Sequence, residues 1–271
     1  MEEKNHSKED KKKLEYLEQL VKREKINIHH YHGKWAKFAV VGDTHIGSIF
    51  DRRDLLSSFY HLCKEEGYTT VYHVGDVTEG EKMYAGQEYE RYEHGADNIV
   101  KRVVNEYPKI GGMTTYFITG NHDLSYWKTM GYDIGKSIAL QRKDMVYLGR
   151  ELATVSLSIN NRKIYIQLFH PKGGTAYAIS YHPQKYIESL SGGQKPDIVL
   201  MGHYHKAEIL PKHRNVLVIQ AGTFCEQTSF MKGKYTPAHV GGWLMDIMPT
   251  TYHLSRYKME FIPYYEKELE R

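Results

Sequence analysis

Hydrophobic residues in the first half of the chain occur in short runs separated by longer amphipathic segments. Runs at 37–41, 70–74 and 114–119 have the length and apolar character of buried strands. The segments 52–66 and 92–107 between them are predicted to be helical. Because strands and helices alternate, we expect right-handed crossovers and a sheet covered by helices.

The second half of the chain is richer in predicted strand. Residues 151–159 and 162–169 are predicted to form a hairpin, because Asn160 and Asn161 between them favour a turn. The remaining predicted elements are a helix at 175–190, a strand at 197–201, and two or three strands within 206–221 and 238–258. Two sheets with helices outside both would account for this order of elements.

The N-terminal residues 1–33 differ from the rest and are predicted to be a charged helical extension. Apolar residues recur at spacings of three and four within 4–25, which predicts a narrow apolar stripe on a helix. We expect this helix to pack on the main domain or to pair with a second copy or a partner protein. The main domain is placed at 34–260 and a C-terminal tail at 261–271.

The composition is that of a folded globular protein. Hydrophobic residues make up 41% and charged residues 26% of the chain, which argues against disorder. No apolar run approaches the roughly 18 residues of a membrane span, and the first residues lack the apolar core of a secretory signal. Cys63 and Cys225 have neither a pairing motif nor zinc-type spacing, which indicates free thiols. We therefore expect a cytoplasmic protein without membrane contact.

Polar side chains able to bind a metal follow five of the predicted strands. They are Asp43 and His45, then Asp76, then Asn121 and His122, then His170, and finally His203 and His205. In sheets with helical crossovers, ligand sites assemble at the carboxyl ends of strands. Oxygen and imidazole ligands without sulfur suit manganese, iron or zinc. The set is too large for one catalytic ion and suits two ions that share a carboxylate, as in phosphoester hydrolysis.

Local spacing supports this grouping. Asp43 and His45 are two positions apart, so in an extended backbone both would project to the same side, and His203 and His205 are spaced likewise. Glycine precedes the site positions at Gly42, Gly75, Gly120 and Gly202. Glycine permits positive φ and lets the backbone pass close to a site.

The ordered blocks Asp-x-His, Gly-Asp, Gly-Asn-His-Asp, a single His and Gly-His-x-His resemble the calcineurin-like metallophosphoesterase superfamily over residues 37–250. The first block, at 43–48, resembles its DNA-repair-exonuclease-like branch. Gly173-Gly174, followed by a helix with tyrosines, is similar to phage-type members. The resemblance implies an α/β fold, a four-layer α-β-β-α sandwich of two mixed sheets flanked by helices.

The resemblance also implies roles for individual residues. It assigns Asp43, His45 and His205 to one ion, Asn121, His170 and His203 to the other, and Asp76 to a bridging position. His122 would contact the scissile phosphate without binding metal, and Asp123 would orient its ring. The implied cofactors are two divalent ions, with manganese expected and iron, zinc, nickel or magnesium as alternatives. Catalysis would then proceed by in-line attack of a metal-bridging hydroxide.

Candidate substrate-binding residues are basic or aromatic side chains near the predicted site. They are Arg52, Lys82, Tyr84, Arg91, Tyr92 and Lys172. Basic and aromatic groups together can follow a phosphate backbone and stack bases, and the net charge of +4 is compatible with an anionic substrate. Five glutamates in the loop 79–95 favour the alternative that its tyrosines only pack.

The expected function is a nuclease that hydrolyses phosphodiester bonds in nucleic acid, which would be both substrate and binding partner. Two alternatives remain open at this point. The first is a phosphodiesterase or phosphatase acting on small molecules or cyclic nucleotides. The second is a non-catalytic interaction module of a repair assembly. Among the other histidines, His73 is predicted to lie in the core or behind the ligands, and His29, His30 and His32 at the surface.

Overall fold

The computed structural model describes residues 26–174, 176–249 and 254–265. The predicted helix over 4–25, and with it the proposed pairing surface, lies outside these residues. The α-helices of the described residues are α1 (Arg53–Glu65), α2 (Ala96–Glu106), α3 (Leu124–Met130), α4 (Ile134–Gln141), α5 (Tyr181–Ser189) and α6 (Ser229–Gly233). No helix in this part of the chain is both long enough and apolar enough to cross a membrane.

The strands of the described residues form two six-stranded sheets. In chain order they are β1 (Asn27–Tyr31), β2 (Ala36–Val41), β3 (Thr70–Val74), β4 (Thr114–Thr119), β5 (Met145–Arg150), β6 (Leu152–Ile159), β7 (Arg162–Phe169), β8 (Ile198–Met201), β9 (Ala207–His213), β10 (Val216–Ala221), β11 (Gly241–Pro249) and β12 (Leu254–Pro263). One sheet has the order β12-β11-β2-β3-β4-β5 and the other β1-β6-β7-β8-β10-β9. Each combines parallel and antiparallel pairs, so the prediction of two mixed sheets is confirmed.

The core lies between the sheets and on both of their outer faces. Successive residues of β2 alternate between the two sides, with Val40 in the core between the sheets and Val41 in the core under the helices. Leu168 and Leu200 of the second sheet bury against the same inner core. The helices α1, α2 and α4 cover the first sheet, and Ile187 of α5 packs on the second. These layers confirm the expected α-β-β-α sandwich.

The burial of the strands explains why apolar runs in the sequence predicted their positions. Strands with both faces covered require continuous apolar runs, and β8 is buried at all four positions. The predicted hairpin is present as β6 and β7, with φ values of 49° at Asn160 and 64° at Asn161. Asparagine tolerates this left-handed backbone better than most residues, which suits a two-residue hairpin turn.

Several predicted boundaries differ from the structure. The helix predicted at 92–107 begins at Ala96, and the one predicted at 175–190 begins at Tyr181. The described residues after 206 form four strands in place of the two or three predicted. The sequence analysis did not predict α3, α4 or β5, because each is too short for its hydrophobic residues to show a clear helical or strand periodicity.

The sheets extend beyond the predicted domain range of 34–260 at both ends. The strand β1 pairs in parallel with β6, and β12 ends at Pro263. His29 on β1 is therefore not a surface residue, which corrects the prediction, whereas His30 and His32 are exposed. Nδ1 of His29 lies 2.6 Å from the hydroxyl of Tyr72. Burial lowers the pKa of His29 to about 4, with a smaller contribution from the charge of His30.

Candidate active site

The predicted metal ligands lie together at one edge of the sandwich. The strands β2, β3 and β4 are parallel neighbours in one sheet, and β7 and β8 are parallel neighbours in the other. Each of these five strands is followed within a few residues by predicted ligands. Because the carboxyl ends of parallel neighbours meet at one edge, ligands from both sheets converge there.

One group of potential ligand atoms is formed by Asp43, His45 and His205. The two Nε2 atoms of His45 and His205 lie 3.0 Å apart. Asp43 Oδ1 lies 3.6 Å from Nε2 of His205 and 4.0 Å from Nε2 of His45. All three side chains are buried. This is the set that the family resemblance assigns to one ion.

A second group of potential ligand atoms is formed by Asp76, His170 and His203. His170 Nε2 lies 3.1 Å from Oδ2 of Asp76 and 3.0 Å from Oδ1 of Asn121. Oδ2 of Asp76 also lies 3.9 Å from Nε2 of His45 in the first group. Asp76 therefore lies between the two groups, which is the position a bridging carboxylate requires.

Hydrogen bonds of two histidines determine which of their ring nitrogens could bind a metal ion. His170 Nδ1 lies 2.8 Å from the carbonyl oxygen of Val74, and His203 Nε2 lies 2.7 Å from the carbonyl oxygen of Gly173. A carbonyl oxygen only accepts, so each of these nitrogens carries the hydrogen and leaves the other nitrogen free to ligate. Ligating histidines characteristically donate their outer N–H in this way. The arrangement fits a metal centre.

Glu79 is a site residue that the sequence interpretation missed, since it was counted only among the glutamates of its loop. Its Oε2 accepts a 2.9 Å hydrogen bond from Nδ1 of His45. Its backbone carbonyl accepts a 2.5 Å hydrogen bond from Nδ1 of His122. The amide of Gln87 donates to Oε1 of Glu79 at 2.7 Å. Its position three residues after Asp76, on the loop leaving β3, is the sequence signal that could have found it.

The structure corrects the prediction that Asp123 orients His122. The Asp123 carboxylate accepts hydrogen bonds from the backbone amides of Val77, Thr78 and Gly120 at 2.8–3.0 Å and from the Thr78 hydroxyl at 2.7 Å. It therefore joins the loops after β3 and β4. The His122 ring is oriented by the Glu79 carbonyl instead.

Backbone conformations at the site differ from the extended geometry that the two-residue spacing suggested. Positive φ values between 44° and 81° occur at Asp43, His45, Asp76, His203 and His205. Non-glycine residues with positive φ are uncommon, and they concentrate at functional sites. The paired ligands at 43 and 45 approach each other through these turns and not through strand alternation.

Two glycines are required by close packing behind the ligands. Gly75 has a φ of 98°, and a Cβ there would lie 2.5 Å from Nδ1 of His170. A Cβ at Gly120 would overlap the carboxylate of Asp76. Larger residues at these positions would displace a potential ligand. The expectation that glycine allows the backbone to pass close to the site is confirmed here.

The electrostatics of the cluster favour a cation. Burial raises the pKa of Asp43 to about 7, although nearby histidines act in the opposite direction. Burial opposes protonation of His45, but the hydrogen bond and charge of Glu79 outweigh it and raise the pKa of His45 to about 9. Burial, reinforced by the charge of His170, lowers the pKa of His203 to about 4. Divalent ions among these carboxylates and imidazoles would offset the buried negative charge.

Both arginines among the six predicted substrate-binding residues are engaged in ion pairs. Arg52 pairs with Asp54 at 2.8 Å and with Glu226 at 2.5 Å. Arg91 is buried and pairs with Glu81 at 2.7 Å. Their charges are thus used in structural contacts, so the structure does not support their prediction as substrate contacts. Arg52 and Arg91 are absent from the lining of the cavity beside the predicted ligands.

Three further predicted contacts also lie outside that cavity. The Tyr92 hydroxyl donates to Asp51 at 2.5 Å, which ties the loop to the start of α1. Lys172 pairs with Glu151 at 2.9 Å. Lys82 lines a separate surface cavity. The structure therefore places none of the three against the predicted ligands.

Tyr84 is the one predicted substrate contact that the structure places at the ligands. It lines a cavity of about 540 Å³ whose floor contains His45, Asp76 and His122. Among the lining residues that were not predicted contacts, four form an apolar wall with a lysine: Met83, Phe230, Met231 and Lys234. The cavity therefore combines a polar, ligand-rich floor with an apolar wall.

The calcineurin-like phosphoesterase superfamily domain matches residues 36–240, and the chain belongs to this superfamily. No curated protein sequence is significantly similar to the chain. Family membership, together with the ligand groups, supports a phosphoester hydrolase.

The chain is similar to solved structures whose sequences are very different. GAP50 of Plasmodium, described as the anchor in the inner membrane complex, has a TM-score of 0.53 at 11% identity, with 85% of each chain covered. A predicted phosphoesterase from Streptococcus pneumoniae TIGR4 has a TM-score of 0.44 at 13% identity, covering 85% of this chain and 91% of its own. Vacuolar protein sorting 29 from Cryptosporidium parvum has a TM-score of 0.40 at 17% identity, covering 86% and 100%.

Proposed function

We propose that the chain is a dinuclear-metal-dependent phosphodiesterase that acts on nucleic acid. The observation that carries the proposal is the position of Asp76. Its Oδ2 lies 3.1 Å from His170 and 3.9 Å from His45, which belong to different ligand groups. Two ion sites that share a carboxylate are the arrangement commonly used to hydrolyse phosphoesters.

The residues of the chain would divide the remaining tasks. Two bound divalent ions would supply an activated water and offset negative charge on the phosphoryl oxygens. His122 donates its Nδ1 hydrogen to the Glu79 carbonyl, so Nε2 is the ring atom that can face a substrate. When protonated, this Nε2 would transfer a proton to the leaving oxygen. Glu79 would hold the rings of His45 and His122 in fixed orientations, the first through its carboxylate and the second through its backbone carbonyl.

A polynucleotide substrate is supported by the lining of the cavity. Tyr84 and Phe230 offer aromatic faces, and Lys234 offers a positive charge beside the same floor. Base stacking and backbone neutralisation are the two components of sequence-independent binding to single strands. A second candidate is a nucleotide phosphodiesterase, because a cavity of about 540 Å³ lies within the roughly 300–1,000 Å³ typical of small-molecule sites.

A substrate panel with the manganese-loaded protein tests both candidates. It contains single- and double-stranded DNA, RNA, cyclic nucleotides and the chromogenic diester bis(p-nitrophenyl) phosphate. Metal content is measured on the same preparation, so that inactivity can be separated from loss of metal. We expect turnover of the chromogenic diester and of at least one polynucleotide.

The outcomes of the panel differ for each candidate. Hydrolysis of cyclic nucleotides without any polynucleotide would favour the nucleotide phosphodiesterase. Hydrolysis of the chromogenic diester alone would refute the nuclease. Absence of turnover with manganese, iron, zinc, nickel and magnesium would favour a non-catalytic module. The variant His122→Ala serves as the control for contaminating nucleases, because its preparation should retain metal while losing the activity.

A further inference from the structure

We propose that Phe230 and Tyr84 form a subsite that stacks a nucleobase attached to the scissile phosphodiester. The proposal rests on the proposed function and names the substrate class of the same site. The two rings are stacked, with centroids 5.1 Å apart and an interplanar angle of 23°. They come from the loop after β3 and from α6, so the subsite exists only in the folded chain.

The outer side of this aromatic pair is open. Phe230 is 49% exposed even though its ring lies against Tyr84. An aromatic side chain left exposed beside a cavity is a ready stacking surface, because a planar base can cover its free face. Tyr84 is held in place, since its hydroxyl donates to Glu90 at 2.8 Å. A base would therefore meet a preformed platform.

Phe230 is itself positioned by the short helix α6. The Thr228 hydroxyl caps this helix by accepting from the amide of Met231 at 3.2 Å. Met231 is buried beneath the helix with 8% exposure and also lines the cavity. The backbone amide of Lys234 donates a hydrogen bond to the Phe230 carbonyl at 3.2 Å. The backbone of Phe230 is thus fixed while its side chain stays half exposed beside the cavity.

The cavity matches a ligand with two chemically different ends. Its floor contains His122 and five of the potential ligands, which suit a phosphate with its ions: His45, Asp76, Asn121, His203 and His205. Its wall contains Met83 and the two aromatic rings, which suit a planar apolar group. A nucleotide carries both ends in one molecule, and it can belong to a strand or to a free nucleotide diester. An alkyl phosphate would leave the wall uncovered.

Two diesters with the same leaving group test the subsite. Thymidine 5′-(p-nitrophenyl) phosphate carries a base, and methyl p-nitrophenyl phosphate does not, so the ratio of their kcat/KM values reports the contribution of the base. We expect Phe230→Ala to lower this ratio about tenfold. The conservative Phe230→Trp should keep it within about twofold. The matched control is Tyr89→Ala, which removes a tyrosine that is 83% exposed and lies outside the cavity.

An unchanged ratio in Phe230→Ala, or an equal fall in Tyr89→Ala, would overturn the subsite. Binding of thymidine 5′-monophosphate to the metal-loaded protein provides a second readout that needs no turnover. If the wild type hydrolyses neither diester, the proposed function fails. The subsite then stands only if Phe230→Ala weakens nucleotide binding about tenfold, and it falls if the affinity is unchanged. A dinucleotide compared with the free nucleotide diester separates the two sources of the base.

Discussion

Oε2 of Glu79 lies 2.9 Å from Nδ1 of His45, and the backbone carbonyl of Glu79 lies 2.5 Å from Nδ1 of His122. One residue thus orients both a proposed metal ligand and the proposed proton donor. Gln87 in turn donates to the Glu79 carboxylate and carbonyl, at 2.7 Å and 3.0 Å. The loop after β3 is therefore connected by hydrogen bonds to the proposed chemistry.

The substitution Glu79→Gln should weaken metal binding about 10–100-fold, because it removes the negative charge that polarises His45. The measurement is a titration of the metal-free protein with manganese. Glu88→Gln is the matched control, since Glu88 is an exposed glutamate on the same loop. Equal manganese affinity in Glu79→Gln and the wild type would show that this hydrogen bond does not contribute to metal binding.

The substitution His122→Ala should leave the metal content unchanged and lower kcat by about 10²–10⁴. The reason is that the ring would donate a proton without ligating an ion. Metal analysis and steady-state kinetics on one preparation check both parts. His61→Ala, at an exposed histidine of α1, should change neither quantity. Loss of metal in His122→Ala would make His122 a ligand, and unchanged rates would refute its role as proton donor.

The substitution Asp123→Ala should destabilise the fold by at least about 3 kcal/mol. It leaves four buried donors of Val77, Thr78 and Gly120 without their acceptor, and each such donor costs about 1–3 kcal/mol. Urea unfolding gives the free energy of unfolding. Asp97→Ala, at an exposed aspartate in the first turn of α2, should cost less than about 1 kcal/mol. Similar losses in both variants would contradict the structural role of Asp123.

The substitution Lys234→Ala should weaken binding of single-stranded DNA and reduce its salt dependence. Loss of one phosphate contact lowers the slope of log K against log salt by about 0.7 for a single strand. Lys232→Ala is the matched control, because Lys232 is an exposed lysine two residues before Lys234 and does not line the cavity. Binding isotherms at several salt concentrations measure both slopes. Identical slopes for the two variants would exclude a specific contact at Lys234.

The pH dependence of stability should change in His29→Phe. Burial lowers the pKa of His29 in the folded state from 6.5 to about 4. Between these values the unfolded state binds the proton and the folded state does not, so His29 destabilises the protein as pH falls through this window. Relative to its own value at pH 7, the variant should retain more of its unfolding free energy at pH 4.5 than the wild type. Parallel stability curves would contradict the prediction.

The sequence alone determined most of the order of elements and the residues proposed as metal ligands. Buried strands need continuous apolar runs, and residues such as Asp43, Asp76 and His170 directly follow these runs. Since strand ends can be read from the apolar pattern, the convergence of the ligands at one edge could be predicted without coordinates. The α-β-β-α layers could be predicted in the same way, from the order of apolar runs and amphipathic segments.

Contacts between distant loops were decided only by the tertiary structure. Glu79 and His45 are 34 positions apart, and no periodicity encodes their hydrogen bond. The charges of Arg52 and Arg91 were read as available for substrate, but neighbouring carboxylates pair with them in the fold. Phe230 meets Tyr84 because α6 packs beside the loop after β3. Residue types therefore determined which side chains are proposed as ligands, whereas packing of the loops determined how these side chains are oriented and what surrounds them.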